Sequence, residues 1–411
     1  MEKKILLFSN KNNCCGCGAC LNICPKDAIE MKVDEFGFEY PEIDEQLCIH
    51  CGLCKTVCDY QDMSDLHLTK EAYAGASKNI SILKKSASGG VFSTLAKNIL
   101  DENGIVYGVS MDNIDSILMT RHIRIKESRE LDKLQGSKYV QSSTGYTFRL
   151  VKEDLEKGFK VLYSGTPCQI AGLKKFLKKK YRNLVTIEII CHGVPSGQMF
   201  QDFIKGIEIN NDIKIQEFKF RDKSKGQGMV SNIKYKTKKG EVENCIKNGK
   251  TISYFSLFLK SLIYRENCYS CPYAQEERCA DITLGDYWGF HQEHPDEEKM
   301  AGLSNSNGVS CILVNTEIGI NFISKYKSDL ILVKSEFEKI SRHNDQLKLP
   351  SQYNKKRDLL LNLYKEKGYK SVEQYYKDNY KIDRFKQNII YLIPKDMRRI
   401  SQKIIGLIKK D

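Results

Sequence analysis

The stretch Cys-Cys-Gly-Cys-Gly-Ala-Cys-Leu-Asn-Ile-Cys-Pro occupies residues 14–25, and its cysteine spacing decides the fold of the first part of the chain. The spacing is C-x2-C-x2-C-x3-C, and it returns over residues 48–58. The cysteines at these positions are Cys14, Cys17, Cys20, Cys24, Cys48, Cys51, Cys54 and Cys58. Two-residue gaps let a tight loop wrap three thiolates around one iron–sulfur cube, while the fourth cysteine reaches a second cube. The pattern therefore predicts two 4Fe-4S clusters.

This doubled spacing is typical of the bacterial two-cluster ferredoxins, whose two motifs exchange their fourth ligands. We expect one cluster to be bound by Cys14, Cys17, Cys20 and Cys58, and the other by Cys48, Cys51, Cys54 and Cys24. Zinc also takes four cysteines, but eight cysteines in this spacing favour iron. Cys15 lies outside the pattern and is predicted to be a bystander, and His50 is predicted to be a surface residue.

The segment between the two motifs is predicted to be a hairpin. Ile29–Val33 and Phe38–Tyr40 form its strands, and Asp34–Gly37 form its turn. Residues 59–71 are polar and contain no further motif, so we expect them to be a linker.

The charge of the chain is unevenly distributed. Residues 1–70 carry seven Lys and Arg against twelve Asp and Glu, a net −5, so that +18 lies on the remainder of a chain whose net charge is +13. A basic body suits anionic partners, such as phosphate-bearing cofactors, acidic proteins or membranes, although a solvated lysine-rich surface has the same composition.

Cysteine use and hydropathy indicate a cytoplasmic protein. Nine of the 16 cysteines lie within residues 14–58 at metal-ligand spacing, which disfavours a disulfide scaffold. The apolar run Ile5–Phe8 is too short for a secretory signal, and no stretch approaches the roughly 18 apolar residues of a spanning helix. Thiols stay reduced and available to iron in the cytoplasm.

From Ala72 onward, apolar runs alternate with helical stretches, which indicates an α/β or α+β domain. Ser88-Gly89-Gly90 leads into a predicted helix, and Ser164-Gly165-Thr166 joins a predicted strand at Lys160–Tyr163 to a helix that runs through Lys178. Free backbone N–H groups at such helix starts can hold phosphate oxygens. An ordinary capped helix start is the alternative interpretation of each loop.

The second half of the chain contains further cysteines at strand ends and turns. Cys191 follows the apolar strand Ile187–Ile190, and Cys268 and Cys271 form a C-x2-C pair that precedes Cys279. A single cysteine at a strand end is usually a small buried hydrophobe. Two such cysteines, Cys168 and Cys191, together with the C-x2-C pair favour a metal-binding interpretation.

These pieces occur in an order that resembles the beta-subunit family of the coenzyme F420 hydrogenases and dehydrogenases. The resemblance spans roughly residues 72–345, and its motifs are the Ser-Gly-Gly loop, Gly136–Val140, Gly165–Gln169, Cys191, and the Cys268 and Cys271 pair leading to Ala280–Ile282. It implies that the body binds FAD and one further 4Fe-4S cluster. By resemblance, Cys168, Cys191, Cys268 and Cys271 would hold this third cluster, with Cys279 spare or replacing Cys168.

The resemblance also implies a role for a flavin between one-electron clusters and a two-electron carrier. Its pyrophosphate would be held by Ser88, Gly89, Gly90, Ser164, Gly165, Thr166 and Lys138. The sequence contains no Rossmann G-x-G-x-x-G motif, so an FAD site in this protein would differ from the Rossmann dinucleotide-binding site. The catalytic residues and the two-electron substrate are not indicated.

The predicted fold class is α+β. We expect a two-cluster ferredoxin-like domain at residues 1–64, an α/β flavin and iron–sulfur body in two parts at 72–150 and 151–345, and a helical basic tail at 346–411. In the tail, Leu359–Leu361, Leu363 and Tyr364 are expected on one helix face. Phe218–Ser224 is predicted to be a strand and turn with solvated charges.

The predicted function is that of an iron–sulfur flavoprotein oxidoreductase. Its expected partners are a ferredoxin or another redox protein and a small-molecule two-electron substrate. A non-enzymatic electron-transfer subunit that docks on a partner enzyme is the alternative. The basic amphipathic end of the tail can lie on an anionic membrane surface, on the body or on a partner. Nucleic acid is not an expected partner, because no recognised binding motif is present.

Overall fold

A computed structural model describes residues 5–393 of the chain, apart from residues 62, 64, 225–227, 297–301 and 304–306. Its strands are β1 (Ile29–Val33), β2 (Glu39–Ile43), β3 (Glu71–Ser77), β4 (Ile105–Ile114), β5 (Ile117–Ile125), β6 (Val161–Gly165), β7 (Leu184–Ile189), β8 (Ile213–Lys219), β9 (Val230–Thr237), β10 (Val242–Asn248), β11 (Ile282–Asp286), β12 (Ser310–Val314) and β13 (Leu330–Ser335).

The helices alternate with these strands through most of the chain. They are α1 (Ala19–Ile23), α2 (Leu53–Thr56), α3 (Ile80–Lys85), α4 (Val91–Asp101), α5 (Thr147–Glu156), α6 (Pro167–Leu177), α7 (Gly197–Asn211), α8 (Ser253–Leu259), α9 (Phe290–Glu293), α10 (Glu317–Tyr326), α11 (Phe337–Ser341), α12 (Lys356–Lys367), α13 (Tyr369–Asn379) and α14 (Lys381–Leu392). The predicted α+β class is confirmed, with a ferredoxin-type head, a larger α/β body and C-terminal helices.

The head contains the expected hairpin between the two cysteine motifs. β1 and β2 pair antiparallel, with Ile29 opposite Ile43 at one end and Val33 opposite Glu39 at the other. Each cysteine motif leads into a short helix, α1 or α2, and these two helices pack on each other. Leu21, Ile29 and Cys54 form the small buried core of the head.

An eight-stranded mixed sheet organises the body, in the order β13-β3-β12-β11-β7-β6-β4-β5. Its central strands β11, β7, β6 and β4 are parallel, and all five residues of β6 are buried. Strands covered on both faces consist of continuous apolar runs, as Val161-Leu162-Tyr163 does here. Helix α4 packs over one face through Leu95 and Ile99, and α5 and α6 pack over the other.

The carboxyl ends of β3, β6, β7 and β11 lie at the same edge of this sheet, because β3 and β11 are both antiparallel to β12. The segments that follow these strands therefore converge at this edge, where open α/β sheets bind their ligands. These segments include residues 86–90, 164–168, 190–193 and 286–288.

A three-stranded antiparallel sheet, β10-β9-β8, packs with α7, α8, α12 and α13 around a second core rich in aromatic residues. Phe200 and Phe220 of this core have ring centroids 5.6 Å apart, and Phe203 stacks on Tyr254 at 5.4 Å. Leu360, Leu361 and Tyr364 of α12 are buried in the same core, whereas Leu359 is 45% exposed. Helices α12 and α13 are thus packed into the body, and the predicted apolar face excludes Leu359.

The polar connection between head and body is packed rather than loose. Asp59 is buried and accepts a hydrogen bond of 3.0 Å from the Tyr273 hydroxyl. The backbones of His67 and Arg278 exchange hydrogen bonds of 2.9 and 2.8 Å, and Asp65 pairs with Lys174 at 2.8 Å. The expectation of a simple linker at residues 59–71 therefore underestimates its contacts.

Candidate functional site

A cavity of about 490 Å³ lies at the carboxyl edge of the main sheet. Its wall includes residues from the loops after β6, β7 and β11, from the start of α4, and from the segment 134–142. Cavities of a few hundred Å³ at this position of an α/β sheet are the usual size and place for a cofactor or small ligand.

The four body cysteines that were predicted as ligands all line this cavity. Cys168 lies at the start of α6, Cys191 lies two residues beyond β7, and Cys268 and Cys271 lie in and just after the 3-10 helix Glu266–Ser270. Three separate chain segments therefore contribute cysteines to the wall of one cavity.

The electrostatics of these thiols show how close they are to one another. Burial and, to a smaller extent, Cys168 raise the pKa of both Cys268 and Cys271 to about 12. Burial also raises the pKa of Cys191, with added contributions from Cys268, Cys168 and Cys271. Buried thiolates that repel one another need a bound cation as compensation, and a metal cluster supplies one. The four thiols thus line one cavity and influence one another's pKa, although no group of three or more candidate ligands in the described residues is spaced to hold a single metal ion.

Cys279, the possible substitute for Cys168, lies away from this set. Its buried thiol donates a hydrogen bond of 2.9 Å to Glu188 Oε2, and the Pro167 carbonyl oxygen is a second possible acceptor 3.2 Å from Sγ. Burial and the neighbouring Glu188 carboxylate both raise the pKa of Cys279. This thiol is therefore kept protonated inside the core of the body.

The eight head cysteines fall into the two groups expected from their spacing. A small cavity of about 20 Å³ is lined by Cys24, Cys48, Cys51 and Cys54. Burial raises the pKa of Cys20, and the nearby Cys17, Cys14 and Cys58 raise it further. The fourth cysteine of each motif thus lies with the first three cysteines of the other motif.

The first cysteine loop is pressed against the body. The Cys17 carbonyl oxygen accepts a hydrogen bond of 2.9 Å from Thr144 Oγ1, and the Cys15 carbonyl oxygen accepts one of 3.4 Å from Gln141. A Cβ on Gly16 would lie 2.8 Å from the Gln141 amide nitrogen, and a Cβ on Gly18 would clash with Thr144 Oγ1. Both glycines also have positive φ. The loop therefore needs glycine at these positions to adopt the left-handed backbone conformation and to approach Gln141 and Thr144 closely.

Cys15, which was predicted to be a bystander, lies near cysteines of both the head and the body. It is buried and lines the main cavity. The neighbouring Cys15 thiol is the main reason why the pKa of Cys168 is lowered to about 7, and it also lowers the pKa of Cys17. Cys15 therefore connects the head ligand loop to the body cysteines.

Most of the residues predicted to hold a flavin also line the main cavity: Ser88, Gly90, Lys138, Ser164, Gly165 and Thr166. Gly89 packs away from it, where a Cβ would clash with the Gly75 carbonyl oxygen and lie 2.8 Å from the Ser310 amide nitrogen. Gly89 thus allows the loop to approach the sheet, while its neighbours form the cavity wall.

Several polar groups of these loops already have partners within the chain. Ser88 Oγ donates to the Val309 carbonyl oxygen at 3.0 Å, and Ser164 Oγ donates to the Tyr107 carbonyl oxygen at 3.2 Å. The Thr166 amide donates to Gln169 Oε1 at 3.0 Å in a capping box at the start of α6. The loops at 88–90 and 164–166 therefore differ. The capping box at the start of α6 uses the Thr166 amide of the second loop, and this loop leads to Cys168 in the cavity wall.

Lys138 lies in the cavity wall, where it is held by backbone oxygens. Its Nζ donates to the carbonyl oxygens of Gln135 at 2.8 Å and Lys133 at 3.1 Å. Burial lowers the pKa of Lys138 to about 7. An anion in the cavity would favour its charged form.

Arg221 is a cavity residue that the sequence analysis placed among solvated charges, and that prediction is wrong. Its guanidinium is buried and pairs with Asp286 through two hydrogen bonds, and it lies 5.7 Å from the Trp288 ring. Burial opposes the charge of Arg221, but Asp286 outweighs it and the pKa is raised. The alternating charges of Phe218–Ser224 gave no indication of this pairing across 65 residues.

The head and body together define an iron–sulfur protein in which a two-cluster domain is joined to an α/β domain with a ligand cavity. Residues 13–61 match the family model of the 4Fe-4S dicluster domain. Residues 72–148 and 158–339 match the N-terminal and C-terminal models of the coenzyme F420 hydrogenase/dehydrogenase beta subunit. The chain belongs to the coenzyme F420 hydrogenase/dehydrogenase beta subunit family, and the expected resemblance is confirmed.

Two curated proteins of Methanocaldococcus jannaschii are similar to the chain. An uncharacterized protein is 23% identical over 353 residues, which cover 76% of this chain and 86% of that protein. A coenzyme F420-dependent sulfite reductase is 24% identical over 324 residues, which cover 77% of this chain and 46% of the reductase. The chain thus matches less than half the length of the reductase.

A solved structure, a xenon derivative of the F420-reducing [NiFe] hydrogenase complex from Methanosarcina barkeri, is also similar to the chain. The match has a TM-score of 0.40 and 18% sequence identity, and it covers 77% of this chain and 94% of that one.

Proposed function

We propose that the chain is an iron–sulfur flavoprotein oxidoreductase that passes electrons between ferredoxin-type 4Fe-4S clusters and a soluble two-electron donor or acceptor. The observation that carries this proposal is a single cavity lined both by four convergent cysteines and by the start of α4. The dicluster domain and the family membership support iron–sulfur electron transfer. The flavin and the reaction are the proposed parts.

The cluster ligands are proposed as three sets of four thiolates. The head sets are Cys14, Cys17, Cys20 and Cys58, and Cys24, Cys48, Cys51 and Cys54, and the body set is Cys168, Cys191, Cys268 and Cys271. Support comes from their mutual electrostatic influence and from the cavities that they line. Thiolates are the usual ligands of such clusters.

The flavin is proposed to lie in the main cavity with its phosphates at the start of α4. Gly90 precedes this eleven-residue helix with φ 77°, and Ser88, Gly90 and Ser93 all line the cavity. Free N–H groups and the helix dipole favour an anion there. A bound flavin supplies hydride chemistry on one side and single-electron chemistry on the other. Lys138 and the Arg221–Asp286 pair would orient groups in the same cavity.

A one-electron protein partner is proposed to dock at the head cluster of Cys24, Cys48, Cys51 and Cys54, which we call the outer cluster. Cys51 is exposed, and its neighbours Leu47 and Ile49 are 52% and 55% exposed. The head cluster of Cys14, Cys17, Cys20 and Cys58, which we call the inner cluster, faces the body instead. A Cβ on Gly172 of α6 would lie only 2.8 Å from Cys17 Sγ. Electrons would therefore enter or leave at the Cys51 end.

Contact with an anionic membrane surface is also proposed, through the C-terminal end. Helix α14 exposes Ile382, Phe385, Ile389 and Leu392 at spacings of three and four residues, which places them on one face. In the described part of the chain no helix is both long enough and apolar enough to span a bilayer. The basic residues Lys395 to Lys410, part of the predicted tail, lie outside the described residues.

Iron and cofactor analysis of the full chain, purified without oxygen, tests the proposed function. Three clusters correspond to roughly twelve iron atoms per chain, from four in each cluster, and we expect one flavin to accompany them. Protein with eight irons and no flavin would contradict the proposal. If such protein still exchanged electrons with a partner enzyme, the alternative of a docking electron-transfer subunit would hold.

A further inference from the structure

Arg265 is a fully buried arginine at the contact between the head and the body. Its residue exposure is 0%, and it directly precedes the 3-10 helix that contains Cys268. Its side chain reaches into the head, where Nε donates to the Cys14 carbonyl oxygen at 3.1 Å and Nη1 donates to the Glu39 carbonyl oxygen at 2.8 Å. Nη2 points at Cys14 Sγ at 3.9 Å.

No carboxylate forms an ion pair with Arg265 among the residues that the structure describes. Its remaining partners are neutral: Gln141 Oε1 at 3.4 Å and the Tyr40 ring, whose centroid lies 3.8 Å from the guanidinium carbon. Glu39 forms no ion pair with the guanidinium through its side chain; burial raises the pKa of this carboxyl, while Arg265 lowers it to a smaller extent. Among the described residues, the guanidinium therefore has no carboxylate partner at ion-pair distance.

Arg278 is a buried arginine of the same protein whose charge is balanced by a carboxylate. It is 2% exposed and also lines the main cavity, but its Nε pairs with Glu188 Oε1 at 2.5 Å. Burying an unpaired charge is strongly unfavourable. The difference between the two arginines indicates that Arg265 meets a negative charge that is not an amino-acid carboxylate.

The sulfur atoms around Arg265 identify that charge. Besides its contact with Cys14 of the inner head set, Arg265 lines the main cavity together with Cys168 and Cys268 of the body set. Its carbonyl oxygen also accepts a hydrogen bond of 3.1 Å from the Cys268 amide. Its guanidinium thus lies between two of the three proposed clusters, whereas the cysteines of the outer set line a separate small cavity whose wall does not include Arg265. A cluster with four thiolate ligands is an anion.

We propose that Arg265 is the shared counter-charge of the inner head cluster and the body cluster, and that it raises the reduction potential of both. This inference rests on the proposed function, since it assumes that both clusters are present. Each cluster gains one negative charge when it accepts one electron, so a fixed cation in a low-dielectric contact stabilises the reduced form. Electrons that enter at the outer cluster are then drawn toward the body.

Redox titration of the full chain, followed by electron paramagnetic resonance under anaerobic conditions, tests this role. We expect Arg265→Gln to lower the reduced-to-oxidised ratio of the inner and body clusters at least about tenfold at a fixed potential, which is 59 mV for one electron. Arg265→Lys keeps the charge and is expected to keep most of the wild-type potential. The outer cluster serves as an internal control, and its potential is expected to stay unchanged.

A second variant covers the case in which Arg265→Gln fails to fold. Gln141→Glu is nearly isosteric and leaves every contact of the guanidinium in place, but it puts a carboxylate at the position of the Gln141 oxygen. Because it neutralises the cation in place, it is expected to shift the same two clusters in the same direction. Iron content is measured on each variant.

The outcomes separate this inference from the proposed function. Unchanged potentials in Gln141→Glu with the wild-type iron content would overturn the role of Arg265, as would an equal shift of the outer cluster. Wild-type protein with only eight irons would overturn the proposed body cluster, but the inner head cluster would still report on Arg265. A tenfold shift limited to the clusters beside Arg265 would support the inference.

Discussion

Single cysteines in the body differ in what their removal should do, although all of them are half-buried or buried. Cys191 lines the cavity with three other thiols, while Cys279 is held in a hydrogen bond to Glu188. We predict that Cys191→Ser loses about four of the roughly twelve iron atoms and leaves the head clusters intact, because serine is a poor ligand for this iron. Iron and sulfide analysis checks the result.

The matched control for this change is Cys279→Ser, in which the hydroxyl can still donate to Glu188. It is expected to keep the full iron content. Equal iron loss in the two variants would mean that Cys279 is a ligand, or that the loss reflects damage to the fold.

Gly18 and Gly52 occupy equivalent positions in the two cysteine motifs and differ in their surroundings. Both have positive φ, 79° and 71°. A Cβ on Gly18 would clash with Thr144 Oγ1, whereas a Cβ on Gly52 would meet nothing within 4 Å. We predict that Gly18→Ala lowers the free energy of unfolding by about 1–3 kcal/mol more than Gly52→Ala, because overpacking adds to the shared backbone strain.

Denaturant unfolding of the anaerobic protein, followed by cluster absorbance, measures this difference. The Gly52→Ala variant controls for the left-handed backbone, which both alanines must adopt. Equal destabilisation of the two variants would mean that the contact between the first loop and Thr144 contributes nothing to stability.

At the scale of elements, α14 presents an apolar stripe that has no partner in the described part of the chain. Ile382 and Phe385 are 72% and 67% exposed, so their replacement should not disturb packing. We predict that the double variant Ile382→Glu and Phe385→Glu reduces binding to vesicles that contain anionic lipid several-fold, because both apolar burial and charge attraction are weakened. Co-sedimentation with such vesicles measures the change.

Ile209 on α7 provides the control, because it is 69% exposed outside the stripe. Ile209→Glu is expected to leave vesicle binding unchanged. Equal vesicle binding by the wild type and the double variant would contradict membrane binding through this stripe. Binding to uncharged vesicles alone would contradict a contribution from charge attraction.

Much of the secondary structure could be predicted from local sequence patterns. The hairpin at residues 29–43 and the loop-to-helix junctions at 90 and 166 follow from alternation, glycine and capping chemistry, which act within a few residues. The grouping of the eight head cysteines follows from spacing alone. These features depend on neighbours in the sequence.

Other features depend on contacts between distant segments and gave no local pattern. The sequence predicted solvated charges around Arg221 and indicated no role for Arg265, yet Arg221 pairs with Asp286 and Arg265 reaches Cys14. Cys15 breaks the spacing rule and is placed beside Cys168 only by the docking of the head on the body. Such contacts are fixed by tertiary packing, which composition and periodicity do not encode.

At the scale of the whole molecule, the arrangement predicts an ordered route for electrons. The outer head cluster site is exposed, the inner site is pressed on α6, and the body cysteines share a cavity with the proposed flavin loop. Removing the body cluster should therefore interrupt the route in its middle while leaving both ends loaded.

The most direct measurement of this route is a rapid-mixing experiment on the anaerobic, flavin-loaded chain. A reduced two-cluster ferredoxin is the electron donor, and the absorbance of the clusters and of the flavin is followed in wild type and in Cys191→Ser. We predict flavin reduction after cluster reduction in wild type, and reduced head clusters beside an oxidised flavin in the variant. Flavin reduction in Cys191→Ser at the wild-type rate would contradict the account.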